Sequence, residues 1–246
     1  MTAPVFVVEH FPADGGGRYV LDGPEGRHAV AVKRLRAGED VVLTDGAGRW
    51  ADCVVLGTEG KDRLIVRLDS VSEEPAEQPR VTVVQALPKG DRGELAVETM
   101  TEVGVDAIVP WSAARCITQW KGERGAKALA KWRATAREAG KQSRRVRFPE
   151  VAEAATTKQV AALLAGADFA AVLHESGEEP LATAGLPSTG EIVLVVGPEG
   201  GVAPEELALF EEAGAGAYRL GRSVLRTSTA GTAAAAVLLA RTGRWS

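Results

Sequence analysis

Residues 191–207, EIVLVVGPEGGVAPEEL, place an apolar run directly before a glycine-rich turn and an acidic segment. The run IVLVV predicts a strand that is buried on both faces. Pro204, followed by Glu205 and Glu206, predicts the first turn of a helix, where proline is tolerated and carboxylates are favoured. A strand that enters a helix through a short loop is the repeating unit of parallel α/β sheets. This stretch therefore predicts an α/β fold.

The glycine loop within this stretch does not match the known phosphate-binding motifs. It has no lysine of the P-loop type, and the spacing of Gly197, Gly200 and Gly201 differs from the dinucleotide fingerprint. Glu199 in its middle would repel a pyrophosphate. Glycines nevertheless permit close approach of a ligand to the backbone, because they carry no Cβ atom. The loop predicts either a tight turn without a ligand or a site for a ligand that lacks phosphate.

The next predicted strand-to-helix junction, YRLGRSVLRTSTAGTAAAAVLL, covers residues 218–239. It passes through Leu225-Arg226 and enters a helix that Thr227 or Ser228 is expected to cap. Ligands of open α/β proteins bind at the carboxyl edge of the sheet. We therefore expect this loop and the glycine loop to lie side by side at that edge.

A change of pattern divides the chain into two predicted domains. Residues 70–80, SVSEEPAEQPR, have the composition of a linker. Before them, short apolar runs punctuated by glycine predict a small β-barrel over residues 1–74, with one helix-like insert at 24–39. After them, strands alternate with helices, which predicts a parallel sheet covered by helices on both faces over residues 75–246. Helices are expected at 91–104, 123–142, 156–165 and 204–213.

The charge is distributed unevenly along the chain. The formal net charge is −4, yet residues 121–147 contain ten Lys or Arg and two Glu. At helical spacing Leu129, Trp132, Ala136 and Ala139 share one face, and the basic side chains occupy the other. Such a face is either solvated or in contact with the phosphates of a nucleic acid.

Several classes of protein are not expected. The N-terminal sequence lacks the pattern of a signal peptide, and the apolar tract 229–240 is shorter than the roughly 20 residues of a membrane helix. A cytoplasmic protein that does not enter a membrane is expected. Cys53 and Cys116 lie far apart and have no histidine at ligand spacing, so we expect incidental thiols and no metal site.

Four segments together resemble a known family. They are ALPKGDRGELAVETMTEVGVDAIVP (86–110), KWRATAREAGKQSRR (131–145), VGPEGG (196–201) and LGRSVLRTSTA (220–230). In combination they resemble the bacterial 16S ribosomal RNA uridine N3-methyltransferases of the SPOUT, or trefoil-knotted, superfamily. The likeness is strong over residues 81–246 and looser in the N-terminal module, through RHAVAVKRLRAGED (27–40).

The resemblance implies a fold, a reaction and partners. The fold would be a parallel α/β domain with a deep trefoil knot, preceded by a PUA- or OB-like barrel that binds RNA. The reaction would be transfer of a methyl group from S-adenosylmethionine to N3 of a uridine in 16S rRNA, with the small ribosomal subunit as partner and a homodimer as the working form. Alternatives are a SPOUT enzyme that acts on tRNA or 23S rRNA, and a non-catalytic RNA-binding factor in ribosome assembly.

The resemblance implies the residues that contact the cofactor, whereas the catalytic candidates follow from the chemistry of N3 methylation and the RNA contacts from the distribution of charge. Arg226 and Glu199 are the catalytic candidates, although Arg226 is equally suited to donating hydrogen bonds to loop carbonyls. Glu199 would either take the proton or orient the ammonium group of the cofactor, and the sequence does not decide between these roles. The cofactor would contact Leu173, His174, Glu175, Gly197, Pro198, Glu199, Gly200, Gly201, Leu220, Gly221, Val224, Leu225, Arg226 and Thr227. RNA would contact Arg27, Lys33, Arg34, Arg36, Lys89, Lys127, Lys131, Arg137, Lys141, Arg144 and Arg145.

Three points on these residues stay open. His174 and Glu175 would also be ordinary at the end of a strand. Two positions depart from the family, which commonly has glutamate where this chain has Ser228 and Lys141. The identity of the general base is therefore open from sequence.

Overall fold

The computed structural model describes residues 3–12 and 17–245, which form two compact units. The first contains the chain up to Ala76 together with Gly140–Phe148, and the second contains Glu77–Ala139 and the chain from Pro149 onward. The return of residues 140–148 to the first unit departs from the simple division at residue 74, because one segment far along the chain completes the small domain.

The first unit is built around a sheet with a short helix. Its elements are β1 (Val5–Val7), β2 (Gly17–Leu21), α1 (Gly23–Arg27), β3 (Asp40–Thr44), β4 (Arg49–Glu59), β5 (Arg63–Leu68) and β6 (Ser72–Glu73). The strand order is β1-β3-β4-β5-β2, with β6 paired to β4. β1 and β3 are parallel, and the other pairs are antiparallel. This architecture confirms the β-rich module, while the expected helical insert is only α1 and a single π-helical segment, His28–Val32.

Residues 140–148 are held in the first unit by packing and by a buried ion pair. Phe148 lies so close to Gly46 that a Cβ atom on that glycine would approach its ring to 2.8 Å. The Lys141 ammonium lies 3.0 Å from Glu25 Oε1, and the lysine side chain is only 4% exposed. A side chain buried in this way cannot reach a phosphate, so the prediction that Lys141 contacts RNA is wrong.

The second unit is a parallel sheet covered by helices. Its elements are β7 (Arg80–Ala86), α2 (Arg92–Val103), β8 (Ala107–Trp111), α3 (Gly122–Gln142, whose last residues belong to the first unit), β9 (Glu150–Val151), α4 (Thr157–Ala165), β10 (Phe169–Leu173), β11 (Glu179–Pro180), β12 (Glu191–Val196), α5 (Pro204–Glu212), β13 (Gly216–Arg219) and α6 (Thr227–Arg241). The strand order is β11-β13-β10-β12-β7-β8-β9, and every pair is parallel. These findings confirm the α/β prediction.

The core explains why the apolar runs form this sheet. Ile192 to Val196 of β12 are all buried, as a strand between two layers of helices requires. α6 packs against α2 and the sheet, and Gly231 permits this, because a Cβ atom there would lie 2.9 Å from Met100 Sδ. α2 ends as expected at Gly104, which has a left-handed φ of 110°.

No helix within residues 3–12 and 17–245 is both long enough and apolar enough to cross a membrane.

Candidate functional site

Three strands of the second unit end in register and deliver their loops to one place. Leu173 at the end of β10 pairs with Val196 of β12 on one side and with Tyr218 of β13 on the other. The loops that follow therefore start side by side at the carboxyl edge of the sheet. They enclose a cavity of about 530 Å³, a volume typical of small-molecule sites.

All fourteen residues predicted to contact the cofactor line this cavity. They come from the loop after β10, the glycine loop after β12, and the loop between β13 and α6. The sequence segments are far apart, so their convergence is a property of the sheet order. Val196, Val202, Tyr218 and Ala230 also line it, as do several arginines that were not predicted.

The glycine loop is fixed by contacts to two neighbouring loops. The guanidinium of Arg115, after β8, donates from Nη1 to the Gly200 carbonyl at 3.0 Å. Glu199 Oε1 accepts the Lys89 backbone N–H at 3.1 Å, so the carboxylate binds the loop after β7. Gly201 has a φ of 74°, and a Cβ atom on Gly200 would lie 3.3 Å from Arg115 Cβ. The glycines thus serve a tight turn and leave backbone exposed to the cavity.

A buried network connects the glycine loop to the start of α6. The Thr227 hydroxyl donates to the Gly197 carbonyl at 2.6 Å and accepts from Gln85 Nε2 at 3.3 Å. Gln85 is fully buried, and its Oε1 has no hydrogen-bond partner among the described residues. We did not predict a role for Gln85, although a polar residue in the apolar strand VTVVQAL was a usable signal.

Of the two helices that begin at the site, α5 starts at Pro204 as expected, and α6 has a different N-cap from the one expected. α6 begins at Thr227 with Arg226 as the N-cap, so the prediction that Thr227 or Ser228 caps the helix is wrong. At α5 the weak cap Ala203 is supported by Glu206, whose Oε2 accepts the Ala203 N–H at 3.2 Å. Glu206 Oε1 accepts the Ala114 N–H at 2.8 Å, which also fixes the loop that carries Arg115.

The ionisable groups at the cavity have distinct environments. Arg226 is exposed and forms no ion pair with residues 3–12 or 17–245. Ser228 is buried, and among the described lining residues the only carboxylates are Glu175 and Glu199. Burial and, to a smaller extent, the charge of Glu179 raise the pKa of the Tyr218 phenol, which therefore stays protonated at neutral pH.

His174 has a local polar partner. Its Nδ1 lies 2.6 Å from Ser176 Oγ, next along the same loop. In the described part of the chain no group of three or more His, Cys, Asp or Glu is placed to hold a metal ion. The arrangement at His174 is thus that of a polar loop residue facing a cavity.

The residues predicted to contact RNA are mostly at the surface. On α3, Leu129, Trp132, Ala136 and Ala139 are buried, which confirms the predicted apolar face. Lys131 pairs with Glu94 at 2.9 Å but remains 63% exposed. The other predicted cations are exposed, except for the partly buried Arg145 and the buried Lys141: Arg27, Lys33, Arg34, Arg36, Lys89, Lys127, Arg137 and Arg144.

Comparison with known proteins gives two matching family models. A model described as an RNA methyltransferase domain matches residues 75–239, and one described as an RNA methyltransferase PUA domain matches residues 21–69. The ribosomal RNA small subunit methyltransferase E of Mycobacterium tuberculosis is 47% identical over 251 residues, covering 100% of this chain and 94% of that protein.

Two solved structures resemble the chain over nearly its whole length. The ribosomal RNA small subunit methyltransferase E of Neisseria gonorrhoeae, bound to S-adenosylmethionine, has a TM-score of 0.85 at 28% identity and 98% coverage of both chains. A Legionella pneumophila methyltransferase in complex with the same cofactor has a TM-score of 0.87 at 28% identity, again with 98% coverage of both. With its PUA domain and parallel α/β domain, the chain belongs to the RNA methyltransferase family that contains the ribosomal RNA small subunit methyltransferases E.

Proposed function

We propose that this chain is an S-adenosylmethionine-dependent RNA methyltransferase that methylates N3 of a uridine in 16S rRNA. The observation that carries the proposal is the single cavity in which the three loops of the second unit meet. Solved relatives with the same fold hold S-adenosylmethionine. The mycobacterial relative, similar over its full length, is named for the RNA of the small ribosomal subunit.

The residues at the cavity fit this cofactor. It carries no phosphate, so a glycine loop without a lysine and with a glutamate suits it. Gly200 is exposed, Gly197 and Gly201 are partly exposed, and all three line the cavity, so backbone groups of this loop are accessible to a ligand. Half-buried Leu173 and Leu220 offer apolar surface for the adenine, and Glu175 and Glu199 provide negative charge for its cationic groups. When bound, the cofactor supplies an electrophilic methyl group attached to a sulfonium sulfur.

Arg226 and Glu199 are assigned the chemical roles. N3 of uridine is a weakly acidic imide, so its reaction requires removal of a proton and stabilisation of the negative charge on the uracil oxygens. Arg226 projects from the N-cap of α6 at the cavity and would stabilise that charge. Glu199 would accept the proton, since one of its oxygens is held by the Lys89 N–H and Ser228 cannot act as a carboxylate base.

The partners follow from the same proposal. The exposed cations of α3 and of residues 27–36 would contact RNA phosphates, with Lys141 removed from the set. We propose that the working form is a homodimer and that it acts in the cytoplasm, on rRNA or the small subunit.

A methyl-transfer assay tests the function. Purified protein and S-adenosylmethionine would be incubated with small subunits from cells that lack the protein, and methylated uridines in the 16S rRNA would be mapped by mass spectrometry. The expected result is one N3-methyluridine, formed much more slowly with Arg226→Ala. Methylation only of tRNA or 23S rRNA would contradict the substrate. Failure to bind S-adenosylmethionine in calorimetry would contradict the activity and indicate an assembly factor.

A further inference from the structure

Positive charge is in excess around the cavity. Five arginines line it, whereas its described carboxylates are Glu175 and Glu199. The arginines are Arg92, Arg115, Arg219, Arg222 and Arg226. S-adenosylmethionine carries a sulfonium and an ammonium against one carboxylate, so it is itself a cation. An excess of arginine opposes this cofactor and therefore requires another explanation.

Arg92 and Arg115 lie outside the three loops proposed for the cofactor. Arg92 is the first residue of α2, and Arg115 belongs to the loop after β8. The Thr118 hydroxyl donates to the Pro88 carbonyl at 2.8 Å and so ties the loop after β8 to the loop that precedes α2. The segments that carry the two arginines are thus connected to each other at one side of the cavity.

Neither arginine has a carboxylate partner in the described part of the chain. Arg115 donates from Nη1 to the Gly200 carbonyl, an exposed contact that fixes the guanidinium and leaves other N–H groups available. The Arg92 side chain forms no hydrogen bond or ion pair with residues 3–12 or 17–245 and is only partly exposed. A cation in the first turn of a helix is also unfavourable, by about 0.3–1 kcal/mol at exposed sites, because the helix N-terminus is positive.

We propose that Arg92 and Arg115 form an anion-binding pair that holds RNA phosphates next to the target uridine. Arginine suits this ligand because its planar guanidinium donates two parallel hydrogen bonds to phosphate oxygens. The inference rests on the proposed function and adds to it a phosphate site supplied by the loops before α2 and after β8. Substrate RNA would approach the cavity from that side, with its backbone on these arginines and the base directed toward Arg226.

The experiment compares Arg92→Gln, Arg115→Gln and the double variant with the wild type. RNA binding to 16S rRNA is measured across a series of salt concentrations, S-adenosylmethionine binding by calorimetry, and methyl transfer by KM and kcat. Each single variant should raise the KM for RNA about 10-fold, as expected for loss of a charged hydrogen bond. Each should also lower the slope of log affinity against log salt by about 0.7–0.9, the contribution of one phosphate contact. Affinity for S-adenosylmethionine should stay within about twofold in Arg92→Gln, because Arg92 forms no hydrogen bond with the glycine loop in the described part of the chain, whereas Arg115→Gln also loses the hydrogen bond to Gly200.

Two controls separate a phosphate site from a structural role. Lys158→Gln removes an exposed cation of α4 that does not line the cavity and should leave the KM for RNA unchanged. Arg92→Lys and Arg115→Lys keep the charge and should restore the salt slope while recovering only part of the affinity, because lysine cannot bind phosphate in two parallel bonds. A variant that loses its fold would lose cofactor binding and is replaced by its lysine counterpart.

The outcomes are distinguishable. An unchanged salt slope in both glutamine variants would overturn the phosphate site. Weaker binding of S-adenosylmethionine with an unchanged KM for RNA would overturn it too, and would place the arginines on the cofactor carboxylate. If the wild type binds RNA with an arginine-dependent slope but transfers no methyl group, the proposed function fails and the phosphate site stands.

Discussion

Replacement of Thr227 by valine tests whether the hydroxyl of this residue holds two loops of the site together. Valine keeps the shape and removes the hydroxyl that donates to Gly197 at 2.6 Å and accepts from Gln85 at 3.3 Å. Gln85 Nε2 retains its second acceptor, the Ala86 carbonyl at 3.1 Å, so the amide loses little. The Gly197 carbonyl, which is partly buried, is left without this donor, and loss of a hydrogen bond of this kind costs about 0.5–1.5 kcal/mol.

We expect this cost to appear in both stability and cofactor binding. Unfolding in urea, followed by tryptophan fluorescence, reports mainly on the second unit, which contains every tryptophan except Trp50. Thr227→Val should lower the free energy of unfolding by about 1 kcal/mol. It should weaken the binding of S-adenosylmethionine roughly 5-fold, the factor that corresponds to about 1 kcal/mol.

Thr227→Ser is the matched control, since it keeps the hydroxyl and loses only a methyl group. Its cofactor affinity should stay near that of the wild type, with a stability loss of about 0.8 kcal/mol for the buried carbon. The hydrogen bond does not position the glycine loop if the Thr227→Val variant binds the cofactor as tightly as the wild type does. The same conclusion follows if the Thr227→Ser variant binds the cofactor as weakly as the Thr227→Val variant.

Three further changes have expected results. Arg226→Ala should lower the rate of methyl transfer about 100- to 1000-fold, the usual cost of one charge-stabilising donor, as measured in single-turnover assays at saturating cofactor and RNA. Lys141→Met should destabilise the first unit by about 3–5 kcal/mol, since it removes the cation that faces the buried Glu25 carboxylate. Glu25→Leu combined with Lys141→Met should recover most of the loss, and hydrogen exchange of the amides of the first unit measures both. Burial raises the pKa of Cys53 to about 12, so iodoacetamide at pH 9 should alkylate it only after denaturation. Appreciable labelling of the native protein would contradict the burial of this thiol. Because the thiol of the unfolded chain has a pKa near 9.0, the free energy of unfolding should also fall as the pH rises from about 9 to about 12.

Local patterns in the sequence predicted the elements well, for physical reasons. IVLVV is apolar at every position, which a strand between two helical layers requires, and the structure buries all of it. The face of Leu129, Trp132, Ala136 and Ala139 follows from helical periodicity and is buried as expected. Gly104 predicted the end of α2, because the residue that ends a helix often adopts a left-handed backbone conformation, which glycine favours.

Features that depend on distant partners were not predicted. Nothing near Lys141 indicates that its ammonium meets Glu25, 116 residues earlier, so a charge that looked available for RNA is buried. Arg92 and Arg115 belong to separate loops and reach the cavity only through the order of strands in the sheet. Periodicity describes which face of an element is apolar, but it does not identify which side chain will lie opposite a given charge.

The glutamate in the glycine loop has a role that fits this division of charges. Glu199 accepts a backbone N–H of Lys89, and Arg115 donates to the carbonyl of the adjacent Gly200, so oppositely charged side chains fix the loop from two sides. A phosphate-binding loop would place cations at its centre. Here the carboxylate of Glu199 lies at the centre of the glycine loop, and Arg115 contacts the loop from a neighbouring segment. This order matches a reaction between a cationic methyl donor and a polyanionic acceptor, because each reactant then meets its opposite charge. Exchanging the two charges, as in Glu199→Arg with Arg115→Glu, should therefore weaken the binding of both the methyl donor and the RNA, even where the loop itself remains folded.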